Sequence, residues 1–308
     1  MRVAVVGAGL MGHGIAQVFL VAGHDVRITD NNREVLEDVR QRIRANLRAL
    51  GMDEEMAERL EVRRDLAEAL AGAEVVFEAV YEDLALKQDL FRTMERLVDE
   101  EALLATNTSV MRISEIVAKA ESRGRMLGTH WWNPPYLVPL VEVTPSEWTQ
   151  EGALARMMAL LASVGKVPVH VRKDVPGFIG NRLQHALWRE AFALVDEGIC
   201  DPETVDVVIQ ASFGLRLPVL GPVANADLVG LDLTLAIHRY ILPHLSRAKE
   251  PSRTLQERVA AGQLGVKSGQ GFRRWTKEEA EDLRRRLDEH LRRSVAALRT
   301  SNGDGRAT

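Results

Sequence analysis

A glycine-rich segment near the start of the chain limits the folds that this sequence can adopt. Gly7-Ala8-Gly9-Leu10-Met11-Gly12 has the spacing G-x-G-x-x-G, directly after the apolar run Val3–Val6 and before a predicted helix, 12–22. In a strand–turn–helix unit, the first glycine permits a tight turn, the second lets a pyrophosphate approach the backbone, and the third lets the helix pack against the strand. Free N–H groups at the helix start attract the phosphate charge. We therefore predict a dinucleotide site at Gly7, Gly9, Leu10, Met11 and Gly12; the simpler alternative is an ordinary strand–helix turn.

An acidic residue follows at the distance that this chemistry needs. Asp30 ends the second predicted strand, Val26–Thr29. Its carboxylate is suited to accept hydrogen bonds from ribose hydroxyls and would repel a 2′-phosphate. The sequence thus favours NAD over NADP, although the nearby Arg33 leaves NADP as an alternative.

The order of the predicted elements indicates an α/β protein with two domains. Short apolar strands alternate with helices in the first half, which predicts a Rossmann domain with a doubly wound, mostly parallel sheet. The further strands are predicted at 75–80, 103–105, 126–128, 140–143 and 167–171. After Gly177 only helices are predicted, at 178–197, 202–211, 225–245, 254–261 and 277–298. We expect an NAD-binding domain, an all-helical substrate and dimerisation domain, and a flexible tail, at 1–177, 178–299 and 300–308.

Composition and charge argue against several classes of protein. Of 308 residues, 46% are apolar and 27% are charged, as in a globular protein rather than a disordered one. The formal net charge of -4 argues against general nucleic-acid binding. The single cysteine, Cys200, cannot form an internal disulfide, which fits a cytoplasmic protein. We see no signal peptide, no apolar stretch that would cross a membrane, and no histidine spacing that would bind a metal.

Two polar segments follow apolar strands and are candidates for the chemistry. They are 106–109 and 128–135, and ligands of doubly wound sheets bind where parallel strands end. Within the second segment, His130 is a natural base for a hydroxyl proton, because histidine is the residue type that takes up and releases protons near working pH. Ser109 and Asn133 are then candidates to hold the substrate oxygen.

A histidine base needs a partner that fixes its tautomer, and Glu142 is the candidate. It interrupts the apolar run Leu140–Val143, where an unpaired carboxylate would be costly to bury. Pro134-Pro135 predicts a turn that returns this strand to His130. The alternatives are a histidine that only packs in the core and a Glu142 paired with an arginine.

Together these motifs resemble the 3-hydroxyacyl-CoA dehydrogenase family. The resemblance extends to about Trp275 and rests on separate segments in a fixed order. They are Val5–Gly12, Glu82–Lys87, Thr106–Ser109, His130, Asn133-Pro134, Leu140–Val143, Lys173–Arg182, Gly221-Pro222, Asp227–Asp232 and Lys267–Phe272.

The resemblance implies a role for each matching residue. In oxidation, His130 would take the hydroxyl proton while a hydride passes to NAD, and Glu142 would stabilise the protonated ring. Ser109 and Asn181 would hold the substrate oxygen. The cofactor side would include Glu82, Lys87, Asn107 and Asn133. The resemblance also implies a homodimer formed by the helical domain and a place in fatty acid metabolism.

Other positions depart from the acyl-CoA pattern. Where the family directs a serine and a lysine toward CoA, this chain has Asn46 and, near the lysine position, Asp53. The segment Trp132–Tyr136 is similar to relatives that oxidise free acids, such as gulonate and carnitine dehydrogenases. Three hypotheses follow: a 3-hydroxyacyl-CoA dehydrogenase, the same chemistry on a free hydroxy acid or hydrated aldehyde, and a non-catalytic NAD-binding structural protein.

Overall fold

The computed structural model describes residues 1–303, with side chains described up to residue 297. The strands of the described part are β1 Arg2–Val6, β2 Asp25–Thr29, β3 Glu61–Val62, β4 Val75–Glu78, β5 Leu103–Thr106, β6 Met126–Trp131, β7 Leu140–Pro145 and β8 Val167–His170. Its α-helices are α1 Gly12–Val21, α2 Arg33–Ala49, α3 Leu66–Leu70, α4 Leu84–Met94, α5 Ile113–Ile116, α6 Glu151–Ser163, α7 Gly180–Asp196, α8 Pro202–Ala211, α9 Pro222–Val229, α10 Leu231–Ile241, α11 Arg253–Ala260 and α12 Lys277–Gly303.

The strands within residues 1–303 form one sheet with the order β3-β2-β1-β4-β5-β6-β7-β8. Strands β1 to β6 are parallel, β7 runs antiparallel to β6, and β8 is parallel to β7. The strand order reverses between β1 and β4, and ligands of such sheets bind outside the carboxyl ends at that point. The predicted doubly wound, mostly parallel sheet is therefore confirmed.

Both faces of the sheet are covered by helices, because successive side chains of each strand point to opposite faces. Val3 and Val5 of β1 belong to a core shared with residues of α1, α2 and α6. Ala4 and Val6 belong to a second core with residues of α3, α4 and α5. This arrangement explains why β1 reads as a continuous apolar run rather than an alternating one.

The chain divides into two compact units. One comprises residues 1–182 together with the described residues from Glu289 onward, and the other residues 183–288. The second unit contains helices and no named strand within its bounds, as the sequence predicts for this region. Residues 178–182 and 289–299 group with the first unit, whereas the sequence analysis assigned them to the helical domain; the domain limits and their roles stay a prediction. No helix in the described chain is long and apolar enough to span a membrane.

Some elements differ from the predictions. The sequence analysis missed β3 and α3, because two and five residues are too few for a periodic pattern. The predicted helix 225–245 is two helices, since Gly230 has φ 106 and ends α9 before α10 begins. Helix α12 includes 300–303, which the sequence analysis assigned to the tail, and 304–308 lie outside the described residues.

The packing of α1 on β1 predicts different effects for two glycine substitutions. In Gly12→Ala, the new Cβ would lie 1.7 Å from the Gly7 carbonyl oxygen, so the backbone must move. We expect the free energy of unfolding to fall by about 1–3 kcal/mol, measured by urea denaturation. Gly9→Ala is the matched control, because its Cβ meets nothing within 4 Å, and it should unfold like wild type. Equal stability of the two variants would contradict this packing argument.

Candidate active site

The glycine loop and Asp30 form one hydrogen-bonded unit at the carboxyl end of β1. Gly7 adopts φ 101, and its N–H donates to the Thr29 carbonyl oxygen at 2.8 Å. The N–H of Ala8 donates to Asp30 Oδ2 at 2.6 Å, and Asn32 donates to Oδ1 at 2.8 Å. The carboxylate therefore lies against the loop that the sequence predicts to bind pyrophosphate.

This loop fits a dinucleotide. A Cβ on Gly9 would meet nothing within 4 Å, which leaves room for a phosphate to approach the backbone. Leu10 is exposed and Met11 is the N-terminal cap residue of α1, so both lie at the helix start. Arg33 pairs with Glu37 at 2.7 Å. This exposed pair is weak, so the preference for NAD rests on Asp30 and not on the pairing of Arg33.

His130 and Glu142 lie opposite each other on the antiparallel strands β6 and β7. His130 Nδ1 lies 2.8 Å from Glu142 Oε2, and both side chains are buried. Because a carboxylate only accepts hydrogen bonds, Nδ1 carries the proton and donates it. Nε2 is left without a hydrogen-bond partner among the described residues, which suits it to accept a proton from a bound molecule.

The second oxygen of Glu142 is held by main-chain groups. Its Oε1 accepts hydrogen bonds from the N–H of Ile179 at 2.9 Å and from that of Gly180 at 3.0 Å, at the start of α7. Burial works against ionisation of Glu142. The hydrogen bonds from His130, Gly180 and Ile179 outweigh it and hold the pKa of this carboxyl below its ordinary value. Glu142 is thus kept as an anion beside the imidazole.

The loop after β5 joins the remaining polar residues to this pair. Asn181 Nδ2 donates to the carbonyl oxygen of Ser109 at 2.8 Å. Asn107 Oδ1 accepts the N–H of Trp131 at 2.9 Å, which fixes the strand beside His130. The Ser109 hydroxyl has no hydrogen-bond partner within the described part of the chain. Ser109 contacts Asn181, and the residue before Asn181, Gly180, contacts Glu142, which pairs with His130. Asn133 is exposed, and the roles of all these residues stay predictions.

Two predicted cofactor residues, Glu82 and Lys87, lie in one polar network, in which Lys87 is buried and Glu82 is exposed. Lys87 is 1% exposed, and its Nζ lies 2.7 Å from Glu78 Oε1 and 3.7 Å from Glu82 Oε2. Glu82 accepts hydrogen bonds from the Thr108 hydroxyl and from the N–H of Ser109, at 2.9 Å and 2.5 Å. Glu82 therefore holds the loop that carries Ser109, while Lys87 places its charge between Glu78 and Glu82. Whether they also contact NAD stays a prediction.

The sequence analysis missed Glu78 and the amides of Ile179 and Gly180. Glu78 is fully buried at the end of β4 and also accepts a hydrogen bond from Thr106 at 2.6 Å. It interrupts the apolar run Val75–Val80, and the same signal identified Glu142, so Glu78 could have been found from the sequence. The amides were not, since every residue except proline has one.

Two aromatic rings form the walls around His130. The ring centroids of Trp132 and Phe178 lie 5.2 Å and 5.6 Å from that of the imidazole. Trp132 also lies so close to Gly180 that a Cβ there would be 2.4 Å from its ring. The pair is thus enclosed by apolar surface on its sides, which strengthens the electrostatic interaction between its members.

Comparison with known proteins agrees with this geometry. Residues 2–175 match the family model for the NAD binding domain of 3-hydroxyacyl-CoA dehydrogenase, and 177–275 match the model for its C-terminal domain. The chain belongs to the 3-hydroxyacyl-CoA dehydrogenase family. It is an NAD-dependent dehydrogenase that acts on CH–OH groups, and the predicted fold, cofactor and enzyme class are confirmed.

Individual relatives of this family differ in what their names say they act on. A 5-formyl-3-hydroxy-2-methylpyridine 4-carboxylate 5-dehydrogenase of Mesorhizobium japonicum is 34% identical and covers 98% of both chains. A probable 3-hydroxybutyryl-CoA dehydrogenase of Bacillus subtilis is 37% identical and covers 88% of this chain and 96% of its own. A crystal structure of a dehydrogenase for the same pyridine carboxylic acid, described as an NAD+-dependent dismutase, has a TM-score of 0.89 at 32% identity, with 98% of both chains covered.

The buried ion pair gives a test of the network. Lys87→Met leaves the Glu78 carboxylate buried without its cation, so the free energy of unfolding should fall by about 3–5 kcal/mol in chemical denaturation. The double variant Glu78→Gln/Lys87→Met removes both charges and should recover most of that loss. Lys119→Met is the control, because Lys119 and Asp89 form an exposed pair at 3.3 Å, and it should cost about 1 kcal/mol or less. A double variant as unstable as the single one would contradict the pairing.

Proposed function

We propose that this protein oxidises a hydroxyl-bearing carbon of a small free acid, either a hydroxy acid or a hydrated aldehyde, reversibly and with NAD. The position of the C-terminal residues supports a free acid over a CoA thioester as the substrate. Arg292 of α12 donates a hydrogen bond to the carbonyl oxygen of Ala49, the last residue of α2. Val295 and Ala296 line a cavity of about 560 Å³ together with Gly51 and Met52.

This position matters because the resemblance places CoA-directed side chains on and after α2. Asn46 stands where the family has the serine. Its Nδ2 donates a hydrogen bond to Gln17 Oε1 at 2.9 Å, so this amide is engaged by a side chain of the protein itself. Asp53 is exposed near the lysine position, and an acid there would repel the phosphates of CoA. The last turn of α2 carries Arg48, but Glu54 pairs with it at 2.7 Å, and α12 adjoins this end of the helix.

The residues of the site suit proton transfer. Nε2 of His130 would accept the proton of the substrate hydroxyl, and Glu142 would stabilise the imidazolium that results. Ser109 and Asn181 would hold the substrate oxygen. NAD held by the Gly7–Gly12 loop and Asp30 would supply the hydride acceptor for the same carbon in oxidation and the hydride donor in reduction. Asp30 would bind the adenosine ribose, and the loop from Gly7 to Gly12 the pyrophosphate.

Replacing His130 tests the base. His130→Ala removes the only proposed proton acceptor, so we expect kcat to fall by about 100- to 10,000-fold. The affinity for NADH, measured by fluorescence titration, should stay that of wild type, because the Gly7–Gly12 loop and Asp30 are untouched. Ser163→Ala is a control, since its hydroxyl bonds only the Leu160 carbonyl within α6. Turnover by His130→Ala equal to that of the control would remove His130 from this role.

A substrate comparison tests the choice of free acid. NADH formation is measured at one enzyme concentration with 3-hydroxybutyryl-CoA, 3-hydroxybutyrate, gulonate, carnitine and 5-formyl-3-hydroxy-2-methylpyridine 4-carboxylate. We expect at least one free acid to have a kcat/KM on the order of tenfold or more above that of the thioester. A higher kcat/KM for the thioester would instead indicate acyl-CoA oxidation and a place in fatty acid metabolism.

We further propose a cytoplasmic homodimer. The helical unit 183–288 exposes large apolar side chains, which include Val219, Leu228, Leu231, Leu235 and Tyr240. Apolar surface of this extent is unusual on a monomer and is typical of a subunit interface. The single Cys200 suits a reducing compartment.

A further inference from the structure

The turn before α7 has an unusual backbone. Gly177 has φ 74 and is followed by Phe178 with φ 49, the one non-glycine residue with positive φ in the described chain. A bulky side chain rarely adopts this left-handed conformation, and it persists only where the surroundings determine it. Residues with such strained backbones cluster at functional sites, which suggests a functional role for this turn.

The surroundings hold this turn from several sides. The N–H of Gly177 donates to the Val110 carbonyl oxygen at 3.1 Å. Just before it, the Asp174 carboxylate accepts the N–H groups of Ile113 and Ser114 at 2.8 Å and 2.7 Å. The ring of Phe178 is 1% exposed and packs beside His130. The backbone conformation is therefore fixed by contacts with the loop after β5 and with β6.

The direction of the chain after the Gly177–Phe178 turn shows what the turn does. The next two amides, those of Ile179 and Gly180, point at the same oxygen of Glu142. The first amides of a helix have no acceptor within it and carry a partial positive charge. The other carboxylate oxygen faces His130 Nδ1 at 2.8 Å. One oxygen of the Glu142 carboxylate thus accepts hydrogen bonds from the amides at the start of α7, and the other accepts one from the imidazole of His130.

We infer that the left-handed turn at Gly177–Phe178 is a positioning device for the His130–Glu142 pair. It directs two amides at Glu142, which keeps this carboxylate ionised and turned toward the imidazole. The inference rests on the proposed role of His130 as the base. Phe178, Ile179 and Gly180 are then positioning residues, since they act through Glu142 and not on the substrate.

The charges around Glu142 agree with this role. The titratable group that faces it is His130 on β6; β8 places Val169 opposite it in the sheet, and α7 contributes main-chain amides. The lowered pKa of Glu142 has the hydrogen bonds of both amides among its causes, against the effect of burial. Removing one amide should therefore raise the pKa of this carboxyl.

The experiment removes one N–H and leaves the side chains of the pair in place. Ile179→Pro lacks the amide proton, while Ile179→Ala keeps it; the Ile179 side chain is 46% exposed, so its loss is a mild change. An ester bond at position 179, introduced with the α-hydroxy analogue of isoleucine, removes the same N–H without the proline ring. It serves where the proline variant does not fold.

Two readouts separate positioning from mere stability. The first is kcat/KM for oxidation as a function of pH; the second is the titration of Glu142 followed by ¹³C NMR of labelled glutamate carboxyls. We expect the proline or ester variant to shift the NMR midpoint of Glu142 upward by about one pH unit, because the ionised form loses one hydrogen bond. The acid-side midpoint of kcat/KM should move as well, because it reports the coupled His130–Glu142 pair. Ile179→Ala should keep the wild-type midpoints.

The outcomes are distinguishable. A lower rate with unchanged midpoints in both readouts would make the turn structural only and overturn the inference. An NMR shift in a protein that is inactive on every substrate of the comparison would support the positioning of Glu142 while the proposed function fails. An upward shift in Ile179→Ala as well would assign the effect to the side chain, and that also overturns the inference.

Discussion

The site depends on one cross-strand pair, His130 opposite Glu142. Their side chains meet because β7 runs antiparallel to β6, so residues that face each other point to the same face of the sheet. A parallel β7 would have to return through a crossover connection before pairing. The reversal at Pro134-Pro135 brings the carboxylate back to the imidazole within twelve residues. A slip of one residue in this register would turn Glu142 to the other face.

The neighbouring strands supply the support for this pair. The end of β5 carries Asn107, which binds the backbone of Trp131, and Ser109, whose carbonyl oxygen accepts from Asn181. Glu82 in turn holds the amide of Ser109. Hydrogen bonds from side chains therefore connect the loop after β5 with the loop after β4, with β6 and with the start of α7. A disturbance at the buried Lys87 would reach the substrate side through Glu82 and this loop.

The sequence predicted what local spacing encodes. The glycines, Asp30 and the alternation of elements led to the fold, and an acid in an apolar strand led to Glu142. Gly230 could have indicated the break between α9 and α10, but a single glycine in a helical pattern is also tolerated. The return of Arg292 to Ala49 was not predictable, since an amphipathic pattern gives the buried face and not its partner. The burial of Lys87 was missed for the same reason.

The two buried acids of the site have partners of different kinds, and this difference fits the roles proposed for them. Glu78 lies 2.7 Å from Lys87, a contact between two buried groups of opposite formal charge. Glu142 pairs with a histidine, the side chain whose charge changes in this range. Glu142 also accepts hydrogen bonds from the amides of Ile179 and Gly180, and these are present in either protonation state of the imidazole. A fixed ion pair thus suits the supporting loop, and a carboxylate anchored independently of its histidine suits a site through which protons pass.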